Sequence, residues 1–142
     1  MTLKKIVLYS LFLGAIAMVI HACQSASEIE LAKYHSNGKD IYKTKCQNCH
    51  GENGEGLGEL TPPLTDTIFL QQNKQKLACY IKNGVNEPME INGKIYHEKM
   101  AGFKDMHDID IAQVIVYITN SFENKQGMYT YEQVANDLKN CK

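Results

Sequence analysis

Apolar residues recur at helical spacing in several parts of the chain, most clearly in its last third. Between residues 108 and 122 they return every three or four positions, at Ile111, Val114, Ile115, Ile118 and Phe122. Asp108 and Asp110 open this segment, and the helix dipole favours negative charge in a first turn. We therefore predict a helix over Asp108–Phe122 with one apolar face toward a core.

A weaker pattern in the first half of the chain predicts a helix over about Glu30–Lys45. Gly38 lies inside it and costs about 1 kcal/mol relative to alanine, which is acceptable where another helix must approach closely. Alternatively, the helix begins only after Gly38. Four glycines between Gly51 and Gly58 then predict a loop.

A second helix is predicted from capping signals at both of its ends. Thr65 or Asp66 can cap its start, and Gly84 ends it after about Asn83. Its inward face is expected to consist of Ile68, Leu77, Ala78 and Ile81.

Turn chemistry predicts a β-hairpin over residues 89–96. Asn92-Gly93 lies between two short apolar segments and fits the positive-φ positions of a type I′ turn. A short last helix is predicted over about residues 130–140. The fold class predicted from these elements is all-α, with one minor hairpin.

The first 22 residues have the organisation of an export signal. Two lysines precede the uncharged, mostly apolar segment Ile6–Ile20, which is shorter than the roughly 20 residues of a membrane span. Ala22-Cys23 follows directly and resembles the lipobox of bacterial lipoproteins. That resemblance implies a signal peptide over residues 1–22 and a lipid on Cys23. Plain signal cleavage and an uncleaved membrane anchor are the alternatives.

The rest of the chain has the size of one domain. We expect a polar tether over residues 23–29 and a single folded domain over residues 30–142, within a chain of 142 residues. The net charge is −1, and no basic stripe with interleaved aromatic residues occurs. Nucleic-acid binding therefore has no electrostatic support.

Three reactive or metal-binding side chains occur within residues 46–50, which read Cys46-Gln47-Asn48-Cys49-His50. C-x-x-C-H is the attachment sequence for c-type haem. The two thiols form thioethers with the haem, and the histidine becomes the proximal iron ligand. A thioredoxin-like dithiol needs a βαβ context, and a zinc site needs further ligands at zinc-finger spacing. The motif therefore predicts one covalent haem c.

Two cysteines remain once haem and lipid are assigned. Cys79 and Cys141 suggest a disulfide, since leftover thiols in an exported chain commonly pair. Two separate buried thiols are the alternative.

An iron that only transfers electrons needs a sixth ligand, and methionine thioether favours ferrous iron. The chain offers several candidates after His50, namely Met89, Met100, Met106, Met128, His97 and His107. Residue type alone does not choose among them.

The order of motifs resembles the class I cytochrome c family in its bacterial monohaem form, from about Gly38 to Phe122. After C-x-x-C-H come Pro-Pro-Leu at 62–64, Asn-Gly at 83–84 and Met-x-x-Phe at 100–103. The final matching element is the helix I-x-x-V-x-x-Y-I-x-N-S-F at 111–122. The resemblance implies a cytochrome c-like fold of about four helices around one covalently bound haem. The hairpin would precede the loop that holds the distal ligand.

The resemblance also implies roles for individual residues. Met100 takes the place of the distal iron ligand, opposite His50. Met106 then belongs to the core, and Met89 packs within the hairpin. The remaining haem-pocket residues implied in this way are Pro63, Leu64, Tyr96 and Phe103.

Two further contacts are implied by the resemblance. A carbonyl of Pro62 or Pro63 should accept the Nδ1 proton of His50 and orient its ring. The first helix should pack against the last through four residues, Gly38, Tyr42, Val114 and Tyr117. Tyr96 is expected either to reach a haem propionate or to be an ordinary interface residue.

The function implied is one-electron transfer at a membrane surface on the periplasmic side. Redox proteins of the periplasm or inner membrane are the expected partners, and an acidic partner surface could be steered by Lys43, Lys45, Lys99 and Lys104. The alternative is a haem subunit or domain that serves a catalytic complex, or a gas or redox sensor. Catalysis at the haem and gas binding both need an open or displaceable sixth position.

Overall fold

The computed structural model describes residues 3–141, without the side chains of residues 3, 6, 17 and 19–25. Cys23, the predicted lipidation site, is among these, so its side chain lies outside the described residues. The chain divides into two compact units, one up to Ala32 and one from Lys33 onward. The core and the cavity lie in the second unit.

The first helix, α1, spans Leu3–Lys45 and so begins well before the predicted Glu30. The expected tether over residues 23–29 is helical, because no glycine or proline lies between Ile20 and Gly38 to interrupt it. Gly38 does not interrupt it either. Within the described residues, no helix combines the length and apolarity needed to cross a membrane.

Three short helices follow α1, namely α2 over Gln47–His50, α3 over Thr67–Gln72 and α4 over Lys74–Asn83. Helices α3 and α4 replace the single helix that was predicted to end at Asn83. Asp66 is the cap of α3, since its side chain accepts a hydrogen bond from the backbone N–H of Phe69 at 2.9 Å.

The break between α3 and α4 at Asn73 changes which side chains face inward. Leu77, Ala78 and Ile81 of α4 are buried, as predicted. Ile68 is 68% exposed, so its predicted inward position was wrong, and Leu70 of α3 is buried instead.

In the part of the chain that the structure describes, four short strands form two separate antiparallel pairs. The hairpin pairs β2 (Met89–Ile91) with β3 (Lys94–Tyr96), and Asn92 and Gly93 have the positive φ angles expected of the turn. The second pair joins β1 (Gly84–Val85) to β4 (Met100–Ala101). The sequence did not predict this second pair.

Helix α5 spans Asp108–Ile118 and is shorter than the predicted Asp108–Phe122. Side chains terminate it: Thr119 Oγ1 donates to Ile115 O at 2.7 Å, and Asn120 Nδ2 donates to Val116 O at 2.8 Å. Phe122 then has a φ of 56° and lies outside the helix.

The last helix, α6, spans Tyr131–Leu138 and ends slightly before the predicted boundary. Thr130 caps it in a capping box with Gln133, in which each side chain bonds the other residue's backbone N–H. Helices α4, α5 and α6 pack together, and the mostly helical architecture is confirmed.

The crossing of α1 and α5 explains the glycine in the first helix. A Cβ atom on Gly38 would lie 2.0 Å from Gln113 O and 2.9 Å from Tyr117 Cβ. Beside this contact, the rings of Tyr42 and Tyr117 are 5.2 Å apart, and Phe122 packs on both. The predicted close approach of the two helices is therefore present.

Cys79 on α4 lies next to Cys141 beyond the end of α6. Their sulfur atoms are 2.05 Å apart and their Cα atoms 5.6 Å apart, which are disulfide distances. Among the described cysteines with side-chain coordinates, Cys46 and Cys49 are free thiols.

Candidate functional site

A cavity of about 290 Å³ lies between the segment after α1, helix α4 and the β1–β4 pair. Its walls are mostly apolar and include Leu64, Leu77, Ile81, Val85, Ile91, Phe103, Val114 and Ile118. Cys46, Cys49, His50 and Met100 line the same cavity. The structure thus brings together residues that are far apart in the sequence.

Helix α2 presents the two thiols and the imidazole from one turn of backbone. Cys46 precedes it, and the backbone N–H of His50 donates to Cys46 O at 2.9 Å. Cys49 is exposed, whereas Cys46 is partly buried. Burial raises the pKa of the Cys46 thiol to about 11, and the charge of Cys49 adds to this. Cys46 is therefore a protonated thiol at neutral pH.

His50 is buried, with 9% of its surface exposed. Its Nδ1–H donates to the carbonyl of Pro62 at 3.1 Å, so the structure selects Pro62 over Pro63 for this contact. Burial lowers the pKa of His50, and the bond to Pro62 acts in the opposite direction. The ring is thus neutral at neutral pH, with the Nε2 lone pair available to a metal.

Met100 lies on β4, whose backbone is paired with β1. Val85 stands opposite Met100 in this pair, and Gly84 stands opposite Ala101. A Cβ atom on Gly84 would lie 2.4 Å from Met100 O, and one on Gly102 would lie 2.4 Å from the carbonyl carbon of Asn83. Two glycines therefore permit the close backbone approach that holds Met100 at the cavity.

The other predicted pocket residues also reach this cavity. Pro63, Leu64, Tyr96 and Phe103 all line it. Tyr96 is only 6% exposed, and the Lys94 ammonium lies 5.5 Å from its ring centre.

The other candidate iron ligands differ in whether they line the cavity. Met89 lines the cavity, so it is a second thioether at the site and not hairpin packing alone. Met106 is only partly buried, which corrects its expected place in the core, and Met128 is partly buried away from the cavity. His97 and His107 are exposed and do not line it.

Sequence reasoning missed Asn124 altogether, and it predicted helix packing for Tyr42 but not its hydrogen bond beside the site. Tyr42 Oη donates to Gly51 O at 2.6 Å, and Asn124 bonds the carbonyl of Leu64 at 2.9 Å. Asn124 follows two residues of positive φ, and nothing local in the sequence marks such a bend at Phe122-Glu123.

The residues of the cavity fit a covalently attached haem. Its walls are apolar, two unpaired thiols stand at its edge, and a neutral imidazole faces it with one nitrogen held by a carbonyl. This donor set matches what c-type haem requires: two thioether-forming cysteines and an axial histidine.

Comparison with known proteins agrees with this geometry. The sequence profile of the family described as "Cytochrome c" matches residues 35–121, which is more than half of the chain and includes the residues that line the cavity. The chain belongs to the cytochrome c family. Cytochromes c carry covalently bound haem and act as electron-transfer proteins, not as enzymes by themselves, and this chain has one attachment motif for one haem c.

Two relatives of this cytochrome come from Thermus thermophilus, and both are called cytochrome c-552. The first is 27% identical over 96 residues, covering 65% of this chain and 64% of the relative. The second is 26% identical over 91 residues, covering 61% of this chain and 69% of the relative. The match to the first therefore spans just under two thirds of that relative's length.

Proposed function

We propose that this cytochrome is a one-electron carrier whose haem iron is bound by His50 and Met100. The observation that carries this proposal is their placement, together with Cys46 and Cys49, around one apolar cavity. A bound haem would supply a one-electron centre, which accepts one electron from a donor protein and passes it to an acceptor protein. The chain's own residues bind it, orient its ligands and exclude water.

Fixed ligands are the physical requirement for fast electron transfer, since a change in coordination adds to the reorganisation that accompanies it. On one side, the Pro62 carbonyl holds the ring of His50. On the other, the β1–β4 pair holds the backbone of Met100. Both supports come from hydrogen bonds within the protein.

The lipid anchor and the partners are part of the same proposal. We infer cleavage after residue 22, a lipid on Cys23 and a position on the periplasmic side of a bacterial membrane, because an apolar segment of signal length precedes Ala22-Cys23. Lys45 and Lys99 line the cavity and are exposed, which supports an acidic redox partner docking near the haem. Tyr96 is proposed to approach a haem propionate.

Redox titration together with rapid mixing against carbon monoxide tests the proposed function. We expect one reversible one-electron step, and slow or negligible binding of carbon monoxide to the reduced protein at neutral pH, because Met100 occupies the sixth position. Fast binding would instead favour the catalytic or sensing alternative, which needs an open position.

We also propose that Cys79 and Cys141 form a disulfide in the mature protein. Their Cα atoms lie 5.6 Å apart although the two residues are separated by 62 positions in the sequence. In the chain-entropy model, closing a loop of this length stabilises the fold by about 4 kcal/mol. The double variant C79A/C141A should therefore lose about 3–4 kcal/mol of unfolding free energy while retaining its haem.

Chemical denaturation of both proteins measures that difference, and intact mass before and after reduction counts the thiols. A native protein that already has both thiols free would contradict the pairing.

A further inference from the structure

The buried amide of Asn124 connects three parts of the chain behind the cavity. Only 1% of this residue is exposed. Its Nδ2 donates to Leu64 O at 2.9 Å and to Ile118 O at 3.0 Å, and its Oδ1 accepts from Thr67 Oγ1 at 2.7 Å. One side chain therefore joins the proline segment 62–64, the end of α5 and the start of α3.

Leu64 attaches one end of the proline segment to the protein, and the backbone pairing of Thr61 with Leu57 holds the other end. Pro62 and Pro63 have no backbone N–H and cannot donate hydrogen bonds. Leu64 supplies a donor and an acceptor at the end of the segment: its N–H donates to Gly54 O at 2.7 Å, and its carbonyl accepts from Asn124. The same segment presents the Pro62 carbonyl to His50.

The backbone before Asn124 is bent in an unfavourable way. Phe122 and Glu123 have φ angles of 56° and 72°, a left-handed conformation that is rare for residues other than glycine. Such conformations persist where the surrounding structure holds them in place. Here they return the chain to the end of α5, which brings the Asn124 amide to Leu64. Asn124 lies just beyond the residues that match the family.

We infer that Asn124 is a positioning residue for the proximal iron ligand, acting on His50 through the segment Pro62–Leu64. This rests on the proposed role of His50 as an iron ligand. The carbonyl that accepts the Nδ1 proton sets the orientation of the ring and strengthens its donation to the iron. Loosening Leu64 weakens that bond, so the ring donates less and ferric iron loses stability relative to ferrous iron.

Asn120 offers a matched control at the same helix end. Its amide makes three hydrogen bonds of 2.8–2.9 Å, from Nδ2 to Val116 O and Gly127 O and from Gly127 N–H to Oδ1, and a longer one of 3.4 Å from Nδ2 to Thr119 Oγ1. None of these reaches the proline segment. Asn120→Ala should therefore weaken the fold much as Asn124→Ala does, without altering the environment of His50.

The experiment compares the two variants with the unaltered holoprotein by NMR and by redox titration. We expect Asn124→Ala to speed solvent exchange of the His50 Nδ1 proton by about twofold to fivefold, where fivefold corresponds to complete loss of one typical hydrogen bond, and to raise the reduction potential. Asn120→Ala should change neither. If Asn124→Ala does not fold, the similarly sized Asn124→Leu carries the same expectation.

Equal exchange rates in the two variants, or an unchanged rate and potential in Asn124→Ala, would overturn the positioning role alone. Absence of haem-shifted His50 ring signals in the unaltered protein would overturn both this role and the proposed ligation.

Discussion

Replacing Met100 with alanine is expected to remove the weak red absorption band that an iron–thioether bond gives in the oxidised protein. The reduction potential should fall, because thioether ligation favours ferrous iron. We expect a fall on the order of 0.1 V, a modest part of the roughly 0.8 V over which axial ligands set haem potentials. Absorption spectroscopy and redox titration measure the two effects. Carbon monoxide should also bind the reduced variant rapidly.

Met89→Ala is the matched control, because Met89 is the second thioether that lines the cavity. It lies on β2 in the hairpin, away from the β1–β4 pair that holds Met100. This variant should keep the red band and nearly the same potential. If the band is retained in Met100→Ala and lost in Met89→Ala, then Met89 and not Met100 is the iron ligand.

Replacing Cys46 and Cys49 together with alanine is expected to abolish covalent haem attachment. No haem should then remain with the polypeptide on a denaturing gel, and the intact mass should fall by that of the haem. The fold should weaken as well, because an empty cavity of about 290 Å³ costs on the order of 5–10 kcal/mol. That is comparable with the whole stability of a small domain.

The single variants Cys46→Ala and Cys49→Ala should each retain haem through the remaining thioether. C79A/C141A serves as the control for loss of cysteines, because these residues do not line the cavity. It should remain fully haem-stained. Covalent haem in the variant that lacks both Cys46 and Cys49 would show that attachment occurs elsewhere.

The features that the sequence predicted well are those encoded by neighbouring residues. The hairpin at Asn92-Gly93 and the cap at Asp66 depend on contacts within a few positions, and both are present. The C-x-x-C-H motif is equally local and placed Cys46, Cys49 and His50 together. Met100 was selected only through resemblance to the cytochrome c family, since a methionine carries no local signal of its role.

The sequence did not allow contacts between residues distant in the chain to be predicted. The β1–β4 pair joins two segments that are not adjacent in the chain. Each segment has only two residues, which is too few to show a periodic pattern. Helix α5 ends at Ile118 because polar side chains take over its last carbonyls, although the apolar period continues to Phe122. Similarly, the choice of Pro62 over Pro63 is made by a contact with His50, 12 positions away, that no local pattern encodes.

X-ray absorption at the iron edge, recorded on the mature holoprotein in both oxidation states, tests the central claim most directly. An electron carrier with fixed His50 and Met100 ligands should show one sulfur neighbour beside the nitrogen ligands in the ferric and the ferrous protein alike. A spectrum without sulfur, or one in which the sulfur neighbour is present in only one oxidation state, would contradict it.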